Sequence, residues 1–475
     1  MVGITSYGAY VPIHRLSKAT ISQAWGDSPV PREKAVANWD EDSVTMSVAA
    51  GMDCLKGFDP KTVDGLYVAS TTFPYMEKQS SAIVATALDM RDDVSTVDFA
   101  NSLRSGTSAL KMAADAVSAN SAKRILVCAA DTRLGEPHGN QEKDFGDGAG
   151  AIMLGSEGVI AAIEGIYSVT DEITDIWRPD DDIFVHYWEE RFVRDKGYGR
   201  VVPMAVAAAL AKYNLTAKDF AKAVFYAHHT APLNGAAKQL GFDSKTQVQD
   251  ILLNKLGNTG TALPLMLLTA ALEEAKAGDR ILLVGYGDGC DVMILRVTEE
   301  IEKVRDRRGM KGYLASRLEL GNYQKYLEWR NLIHTQGTMR PGVDPHSAVA
   351  LLRDRKYGLA MYGVKCKVCG TPHFPREHVC VNCGTRDQFD DYRFADKEGI
   401  LVTFSQDSSW AGVSLDVPVT VTAVDMEGGG RVICDMTDRD PEQVKVGITV
   451  EMTFRKLRRV GGTNNYWWKC QPVRG

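Results

Sequence analysis

Two stretches of the sequence carry the same pattern and decide the fold. The first is AKRILVCAAD (122–131), followed by FGDGAGAIMLG (145–155), and the second is AGDRILLVGYGDG (277–289), which continues into CDVMIL (290–295). In both, a buried strand follows the end of a helical pattern, and an Asp-Gly step leads into a second apolar strand. Either one βα unit has been duplicated, or the likeness reflects the general similarity of buried strands in α/β proteins.

Apolar runs and amphipathic segments alternate around these stretches up to about residue 310. The segments 107–120 and 262–278 have the apolar periodicity of helices. Strands that alternate with helices predict an α/β layered domain with a largely parallel sheet. Its predicted buried strands are 66–71, 124–131, 151–155, 223–229, 280–287 and 292–297.

The rest of the chain has a different character. Residues 306–360 form a predicted helical linker, residues 361–390 contain paired cysteines, and residues 391–475 carry five short β segments separated by glycine-rich turns. Five short strands in a segment of this length predict a small barrel of the OB type. We therefore expect four regions, of which the α/β domain at 1–305 is the first.

The paired cysteines predict a metal site. Cys366 and Cys369 form one CxxC pair, Cys380 and Cys383 form the other, and each pair is followed by a glycine. Four thiolates at this spacing favour tetrahedral zinc, and a closed four-cysteine site leaves no open position for catalysis. We predict a structural zinc ion; the alternatives are chance occurrence and a redox dithiol.

Composition limits the class of protein. Apolar residues make up 44% of the 475 residues and charged residues 24%, which is typical of a globular protein and argues against a disordered chain. No apolar run is long enough to span a bilayer, and the first residues do not resemble a signal peptide. The nine cysteines are spread thinly along the chain, which is typical of a protein in a reducing compartment and not of a disulfide scaffold. We therefore expect a cytoplasmic protein that does not bind membranes.

Nucleic-acid binding is the first alternative, since zinc ribbons and OB barrels also occur in nucleic-acid-binding proteins. The formal net charge of −6 argues against it. The barrel segments also lack alternating basic and aromatic residues. The one dense basic run, at 455–459, is interpreted as a solvated rim, and we expect no nucleic-acid partner.

Six motifs in order resemble those of a known superfamily. They are GAYVPIHRLSK (8–18), EDSVTMSVAA (41–50), NSLRSGTSAL (101–110), DFGDGAGA (144–151), YAHHTAP (226–232) and LGNTGTALP (256–264). Together they resemble the thiolase superfamily, and most closely its ketoacyl synthase III and HMG-CoA synthase branch. The C-terminal regions resemble DUF35 acyl-CoA-associated proteins. The resemblance implies a duplicated five-layer fold, an acyl-CoA substrate with coenzyme A as part of substrate or product, and a homodimer that pairs through the segment 94–100.

The resemblance also implies site residues. In this family a cysteine takes an acyl group from a thioester, and a histidine and an asparagine hold the oxygen of an enolate. The histidine position corresponds to His229, and the asparagine position to Asn258; a buried structural histidine is the alternative for His229. The neighbouring His228 is expected to point the opposite way. Gly287 and Gly289 match a turn whose backbone N–H helps to hold an acyl oxyanion.

The nucleophile position departs from the family pattern. Family members have the pattern Cys-x-x-Gly-Thr-x-Ala-Leu in the segment that starts at Leu103 in this chain. Leucine can neither ionise nor form an acyl-enzyme. No cysteine lies between Cys54 and Cys128 to replace it. Ser102 and Ser105 flank the position, and a serine nucleophile is an alternative only if a base lies beside it.

The histidine and asparagine positions that match the family pattern favour a reaction that proceeds through an enolate and forms no covalent acyl-enzyme. Three reactions fit: aldol or retro-aldol cleavage of an acyl-CoA, decarboxylation of a malonyl-type thioester, and hydrolysis of a β-dicarbonyl. Two other functions remain open. The chain is either a non-catalytic subunit that pairs with a cysteine-bearing thiolase homologue, or a condensing acyltransferase like HMG-CoA synthase.

Overall fold

The computed structural model describes residues 1–336, 347–408 and 414–474, and the predicted linker 306–360 and the β segment 400–409 therefore lie partly outside the described residues. The chain divides into two compact units. Unit 1 comprises Met1–Ala37, Asp42–Ala85 and Met90–Gly321; unit 2 comprises Asn38–Glu41, Thr86–Asp89 and the described residues of Asn322–Gly475. The four regions expected from the sequence stay predictions.

Unit 1 contains the six predicted strands among others, although the predicted strand 223–229 ends at Phe225 because the chain then turns towards a helix. The strands are β1 (Gly3–Tyr10), β2 (His14–Ser17), β3 (Glu33–Val36), β4 (Gly65–Ala69), β5 (Ser95–Phe99), β6 (Arg124–Asp131), β7 (Gly148–Gly155), β8 (Ala161–Thr170), β9 (Ile176–Trp177), β10 (His186–Tyr187), β11 (Lys222–Phe225), β12 (Arg280–Tyr286), β13 (Gly289–Val297) and β14 (Leu318–Glu319). Nine of these strands form one sheet in the order β11-β12-β13-β8-β1-β7-β6-β4-β5. The others form a small β14-β2-β3 sheet and the β9–β10 pair.

The two stretches with a shared sequence pattern occupy equivalent places in the large sheet. β6 pairs antiparallel with β7 and parallel with β4. β12 pairs antiparallel with β13 and parallel with β11. The order β7-β6-β4 on one side of β1 and β8 thus corresponds to β13-β12-β11 on the other. This arrangement is what duplication of one βα unit predicts.

Helices cover the sheet of unit 1. They are α1 (Lys18–Trp25), α2 (Ser43–Leu55), α3 (Ser80–Ala87), α4 (Ser105–Ser118), α5 (Asn140–Asp144), α6 (Glu190–Phe192), α7 (Gly199–Lys212), α8 (Thr230–Gln239), α9 (Leu263–Glu274) and α10 (Gly309–Ala315). α4 and α9, predicted at 107–120 and 262–278, pack against each other and on β7. Gly106 permits this approach, because a Cβ there would lie 2.9 Å from the Thr261 carbonyl oxygen. Of the helices in the described residues, none combines the length and apolarity needed to cross a bilayer.

Unit 2 contains short helices, a small sheet and a barrel. Its elements are α11 (Tyr323–Trp329), α12 (Ala348–Arg353), α13 (Arg355–Ala360), β15 (Tyr362–Cys366), β16 (Pro372–His373), β17 (Phe389–Arg393), β18 (Glu398–Asp407), β19 (Val419–Met426), β20 (Arg431–Met436), β21 (Thr449–Val460) and β22 (Thr463–Pro472). The small sheet has the order β16-β15-β17, and the barrel closes in the order β18-β19-β20-β22-β21. The five strands of the barrel correspond to the five predicted β segments.

One basic residue of the run 455–459 has a role in the core of unit 2. Arg455 is 1% exposed, and its guanidinium lies 2.5 Å from Glu41 Oε1 and 2.7 Å from Asp438 Oδ2. Removal of one partner from such a buried ion pair costs several kcal/mol, because the other charge is left unpaired. The interpretation of the whole run as a solvated rim is therefore wrong for Arg455.

The segment 94–100, through which we expect dimerisation, contains β5. This strand forms one edge of the nine-stranded sheet, with Ser95 and Val97 exposed. An exposed edge strand can pair with the same strand of a second copy. The homodimer stays a prediction, which light scattering can test.

Candidate active site

A cavity of about 210 Å³ lies in unit 1 where the chain passes from β11 to α8. It is bordered by segments from α5, the β9–β10 region and the turn before α9. The lining residues that matter below are Asp144, Phe145, Tyr198, His228, His229 and Asn258. The cavity therefore brings together three of the six sequence motifs.

The two adjacent histidines have different environments. Alternation along the extended segment after β11 places Tyr226 and His228 on the same side. Tyr226 Oη lies 3.1 Å from His228 Nδ1, and Asn258 Nδ2 donates to Tyr226 Oη at 3.3 Å. The side chain of His229 is half exposed, and its Nδ1 lies 4.0 Å from Asp144 Oδ2. The structure thus groups His228, not the expected His229, with Asn258.

Burial keeps the His228 imidazole neutral. Burial, and after it the positive charge of Arg133, lowers the pKa of His228 to about 3. If Tyr226 accepts from Asn258 and donates to His228 Nδ1, all three groups are satisfied and the ring proton is assigned to Nε2. Nε2 is buried and has no hydrogen-bond partner in the described residues. It is therefore a donor suited to an oxygen that acquires negative charge.

Asn258 is held in place by a tight turn. Gly257 has a φ of +78°, and a Cβ there would lie 2.9 Å from the Asp144 carbonyl oxygen, so the turn requires glycine. The Asn258 N–H donates to that same oxygen at 2.7 Å. The Gly260 N–H donates to Asn258 Oδ1 at 2.9 Å and leaves Nδ2 for Tyr226.

Leu103 lies at the elbow before α4 and is buried, with 9% exposure. Gly287 approaches this elbow closely, since a Cβ on it would lie 3.0 Å from the backbone nitrogens of Leu103 and Arg104. The Gly287 N–H donates to the Gly289 carbonyl oxygen at 3.1 Å, and Gly289 pairs with Thr170 within the sheet. The N–H of Gly287 is thus already engaged, and neither glycine lines the cavity.

The two serines beside Leu103 are both hydrogen-bonded. Ser102 Oγ donates to Asp288 Oδ2 at 2.8 Å, and Ser105 Oγ donates to the Ala100 carbonyl oxygen at 3.0 Å. The carboxylate beside Ser102 was not predictable from the sequence, because Asp288 is distant in the chain.

Two tyrosines and an aspartate extend the site behind His228. Tyr286 Oη donates to Asp175 Oδ2, and burial raises the pKa of both groups. The Tyr286 ring packs edge-on against His228, with ring centroids 6.1 Å apart, and against Tyr198, at 5.3 Å. These residues were not predictable from the sequence, because Tyr286 lies within an apolar strand pattern and Asp175 within a polar loop.

In unit 2 the four predicted cysteine ligands converge. Their sulfur atoms all lie within 4.8 Å of one another, with 3.7 Å between Cys366 and Cys383 and 3.4 Å between Cys369 and Cys380. Tetrahedral zinc with Zn–S bonds of about 2.3 Å separates its sulfurs by about 3.8 Å, so the donor set and its spacing fit this ion. In each turn, the N–H of the glycine after the pair donates to the first cysteine's carbonyl oxygen at 2.9 Å.

The buried His228 predicts a pH dependence of stability. Its pKa is about 3 in the folded protein against 6.5 ordinarily, so between these values the unfolded chain binds a proton that the folded chain does not. Stability contributed by this group is therefore present above pH 6.5 and is lost as the pH falls, by up to about 1.4 kcal/mol per pH unit. We expect His228→Asn to reduce this slope in urea unfolding between pH 7 and pH 4.5, and His229→Asn to keep it. Identical slopes in wild type and His228→Asn would contradict the prediction.

Comparison with known proteins identifies first the fold and then the family. Residues 97–168 match the family model described as 3-oxoacyl-[acyl-carrier-protein (ACP)] synthase III, and residues 210–297 match that of its C terminal. Residues 392–455 match the ChsH2 C-terminal OB-fold domain.

A solved structure described as MvaS in complex with 3-hydroxy-3-methylglutaryl coenzyme A superposes with a TM-score of 0.62 at 20% identity, covering 70% of this chain and 92% of that one. An HMG-CoA synthase complexed with CoA gives 0.61 at 19% identity, with 71% and 92% covered.

Relatives found by sequence comparison share a higher percentage of identical residues with this chain than these solved structures do. Hydroxymethylglutaryl-CoA synthase of Methanopyrus kandleri is 32% identical over 338 residues, which is 68% of this chain and 96% of the relative. The enzyme of the same name from Pyrococcus horikoshii is 33% identical over 312 residues, 64% of this chain and 89% of that protein. The chain belongs to the hydroxymethylglutaryl-CoA synthase family. This confirms the thiolase-like fold and the OB-type barrel expected from the sequence.

Proposed function

We propose that this protein makes or breaks a carbon–carbon bond of an acyl-CoA through a thioester or β-carbonyl enolate, without a covalent acyl-enzyme. One juxtaposition carries the proposal: His228, Tyr226 and Asn258 form a hydrogen-bonded group in a family whose nucleophile position here holds Leu103. Structural neighbours described as complexes with CoA and 3-hydroxy-3-methylglutaryl coenzyme A support a CoA thioester as the ligand.

In the cleavage direction the reaction is an aldol cleavage. The β-hydroxyl group gives its proton to solvent water, its O–H electron pair forms the new carbonyl, and the Cα–Cβ bond breaks. The electron pair of that bond moves into the thioester as an enolate, whose oxygen accepts a hydrogen bond from His228 Nε2–H. A proton from solvent water adds at Cα and completes the reaction, and condensation is the reverse. Tyr226 and Asn258 are positioning residues, because they fix the tautomer and orientation of the imidazole.

A neutral imidazole suits this role. The donor is in place before charge develops, so no reorganisation is needed at the moment of reaction. Leu103 supplies no reacting atom, and its apolar side chain keeps the nucleophile position closed to acyl transfer.

Condensation by an acyltransferase like HMG-CoA synthase is the second candidate. The names of the relatives favour it, and so does the hydrogen bond between Ser102 Oγ and Asp288, which supplies the neighbouring base that a serine nucleophile needs. In that case the acyl group would leave CoA and form an ester with Ser102.

Intact-protein mass spectrometry after mixing with acetyl-CoA separates the two candidates. We expect no added acyl mass on the wild-type protein, because the leucine side chain at position 103 cannot be acylated. Leu103→Cys restores the family's nucleophile and is expected to accumulate an acetyl adduct, which serves as the positive control. A stoichiometric adduct on Ser102 of the wild type, absent in Ser102→Ala, would overturn the non-covalent mechanism.

We further propose that Cys366, Cys369, Cys380 and Cys383 hold a structural zinc ion. When bound, the metal would link the two CxxC turns and supply no step of the reaction. The spacing of the four sulfurs and the repeated glycine turn support this assignment.

A further inference from the structure

The hydroxyl group of Tyr198 is a buried donor without a partner in the protein. Tyr198 is 2% exposed and lines the cavity that also contains His228 and Asn258. Its Oη is buried and forms no hydrogen bond with any group that the structure describes. A buried hydroxyl group without a hydrogen bond destabilises the folded protein, because it has lost its bonds to water. An unpaired donor at the wall of a cavity therefore indicates a ligand atom that completes the bond.

The local backbone holds this side chain in place. Tyr198 ends a π-helical turn, Val193–Tyr198, and such turns are rare and occur frequently at functional sites. Gly197 allows the turn to pack closely, because a Cβ there would lie 2.5 Å from Tyr286 Oη and 2.8 Å from Asp175 Oδ2. The Tyr198 hydroxyl group is therefore positioned before a ligand arrives, which reduces the entropy lost on binding.

Tyr198 and His228 contact the same aromatic ring. The ring centroid of Tyr286 lies 5.3 Å from that of Tyr198 and 6.1 Å from that of His228. His228 Nε2 is also buried and lacks a hydrogen-bond partner in the described part of the chain. Two unpaired donors thus border one cavity, with one ring in contact with both side chains.

Asn258 cannot act as the second donor, although the family pattern assigns an asparagine to this role. Its Nδ2 carries two protons and lies 3.3 Å from Tyr226 Oη and 3.4 Å from the Ala227 carbonyl oxygen. Both protons of the amide group are therefore used within the protein. Among the described residues that line the cavity, Tyr198 and His228 are the two with a buried, unpaired polar atom in the side chain.

Tyr198 is a neutral donor, as His228 is. Burial, and after it the neighbouring Cys290 and Tyr226, raises the pKa of Tyr198 well above its usual value. The hydroxyl group therefore keeps its proton. Neutral donors that are fixed in advance stabilise a developing negative charge without reorganisation.

We propose that Tyr198 Oη–H and His228 Nε2–H donate together to the thioester oxygen of the bound acyl-CoA and stabilise it as an enolate. This inference rests on the proposed function and adds Tyr198 as a catalytic residue. A thioester oxygen has two lone pairs, so it can accept from both donors. Both bonds strengthen as the oxygen gains charge, because hydrogen bonds to charged groups are stronger than those between neutral groups.

Proton exchange of acetyl-CoA tests this assignment, because the acyl group ends at Cα and its one oxygen is the thioester oxygen. Tyr198→Phe removes only the hydroxyl group. We expect it to slow deuterium incorporation from D₂O about 10–10²-fold, as for the loss of one hydrogen bond to a charged oxygen. Tyr167→Phe is the matched control, because Tyr167 lies on β8 and does not line the cavity. Its rate should stay near that of the wild type.

Infrared spectroscopy of bound [1-¹³C]acetyl-CoA gives a readout that needs no reaction. Hydrogen bonds to a carbonyl oxygen lower its stretching frequency, so the thioester band should lie at higher frequency in Tyr198→Phe than in the wild type. It should be unchanged in Tyr167→Phe. The melting temperature of Tyr198→Phe should not fall, since the variant loses a polar group that has no partner. A lower melting temperature would indicate a structural role and contradict the proposal.

An unchanged thioester band in Tyr198→Phe would overturn the proposal, and so would a wild-type exchange rate in that variant. If Tyr198→Phe slowed only the cleavage of 3-hydroxybutyryl-CoA and left acetyl-CoA exchange normal, the hydroxyl group would lie against the oxygen at Cβ instead. A wild-type protein that exchanges no proton, with a band that still shifts in Tyr198→Phe, would support the donor pair and reject the proposed function.

Discussion

Replacement of His228 by alanine is expected to lower the rate at which the protein exchanges the α-protons of an acyl-CoA with solvent by about 10²–10³-fold. The loss follows from the geometry of the site, where Nε2 is the buried donor and Nδ1 is held by Tyr226. His229→Ala is the matched control, since the neighbouring side chain is half exposed and its Nδ1 lies nearest to Asp144, at 4.0 Å from Oδ2. We expect its rate to stay near that of the wild type. Deuterium incorporation from D₂O, followed by mass spectrometry of the acyl-CoA, measures both rates.

Two further variants test whether the histidine acts within a group. Tyr226→Phe removes the hydroxyl that orients the imidazole, and Asn258→Ala removes the amide behind that hydroxyl. Both are expected to slow exchange less than His228→Ala does, with circular dichroism unchanged. A large loss in His229→Ala beside a normal rate in His228→Ala would reject His228 and restore the histidine expected from the sequence.

Replacement of Cys380 by serine is expected to abolish zinc binding and unfold the cysteine-rich segment of unit 2. The effect should be large, because structural zinc contributes about 10–16 kcal/mol of apparent binding free energy to small zinc domains, and that energy stabilises the fold. Elemental analysis of protein purified without chelator should find one zinc per chain in the wild type and none in Cys380→Ser.

Val381→Ser is the matched control for the zinc prediction. Val381 adjoins Cys380 in the same turn but is 82% exposed, so its replacement removes no ligand and little packing. It should retain zinc and stability. Zinc below about half an equivalent in the wild type, or full zinc in Cys380→Ser, would contradict a four-cysteine site.

Much of the fold was predictable from the sequence because it follows from local patterns. β6 and β12 are continuous apolar runs that end at Asp131 and at Tyr286. α4 and α9 have the apolar periodicity of helices. The cysteine cluster was predictable because two short turns of fixed spacing can converge only in a few ways. Asn258 was predictable from the glycine turn that surrounds it.

The choice between His228 and His229 was not predictable, because it depends on where β11 ends and how the chain turns into α8. β11 ends at Phe225, and Tyr226, more than thirty residues from Asn258 in sequence, sets the orientation of His228.

Enolate chemistry without an acyl-enzyme is tested most directly in a single incubation of the wild-type protein with acetyl-CoA or glutaryl-CoA in D₂O. Mass spectrometry then reads deuterium at Cα of the acyl-CoA and acyl mass on the protein in the same sample. We expect deuterium to accumulate in the acyl-CoA while the protein mass stays unchanged. An unlabelled acyl-CoA together with a stoichiometric acyl adduct on the protein would contradict the mechanism, and exchange that appears only after addition of a cysteine-bearing homologue would identify this chain as a non-catalytic subunit.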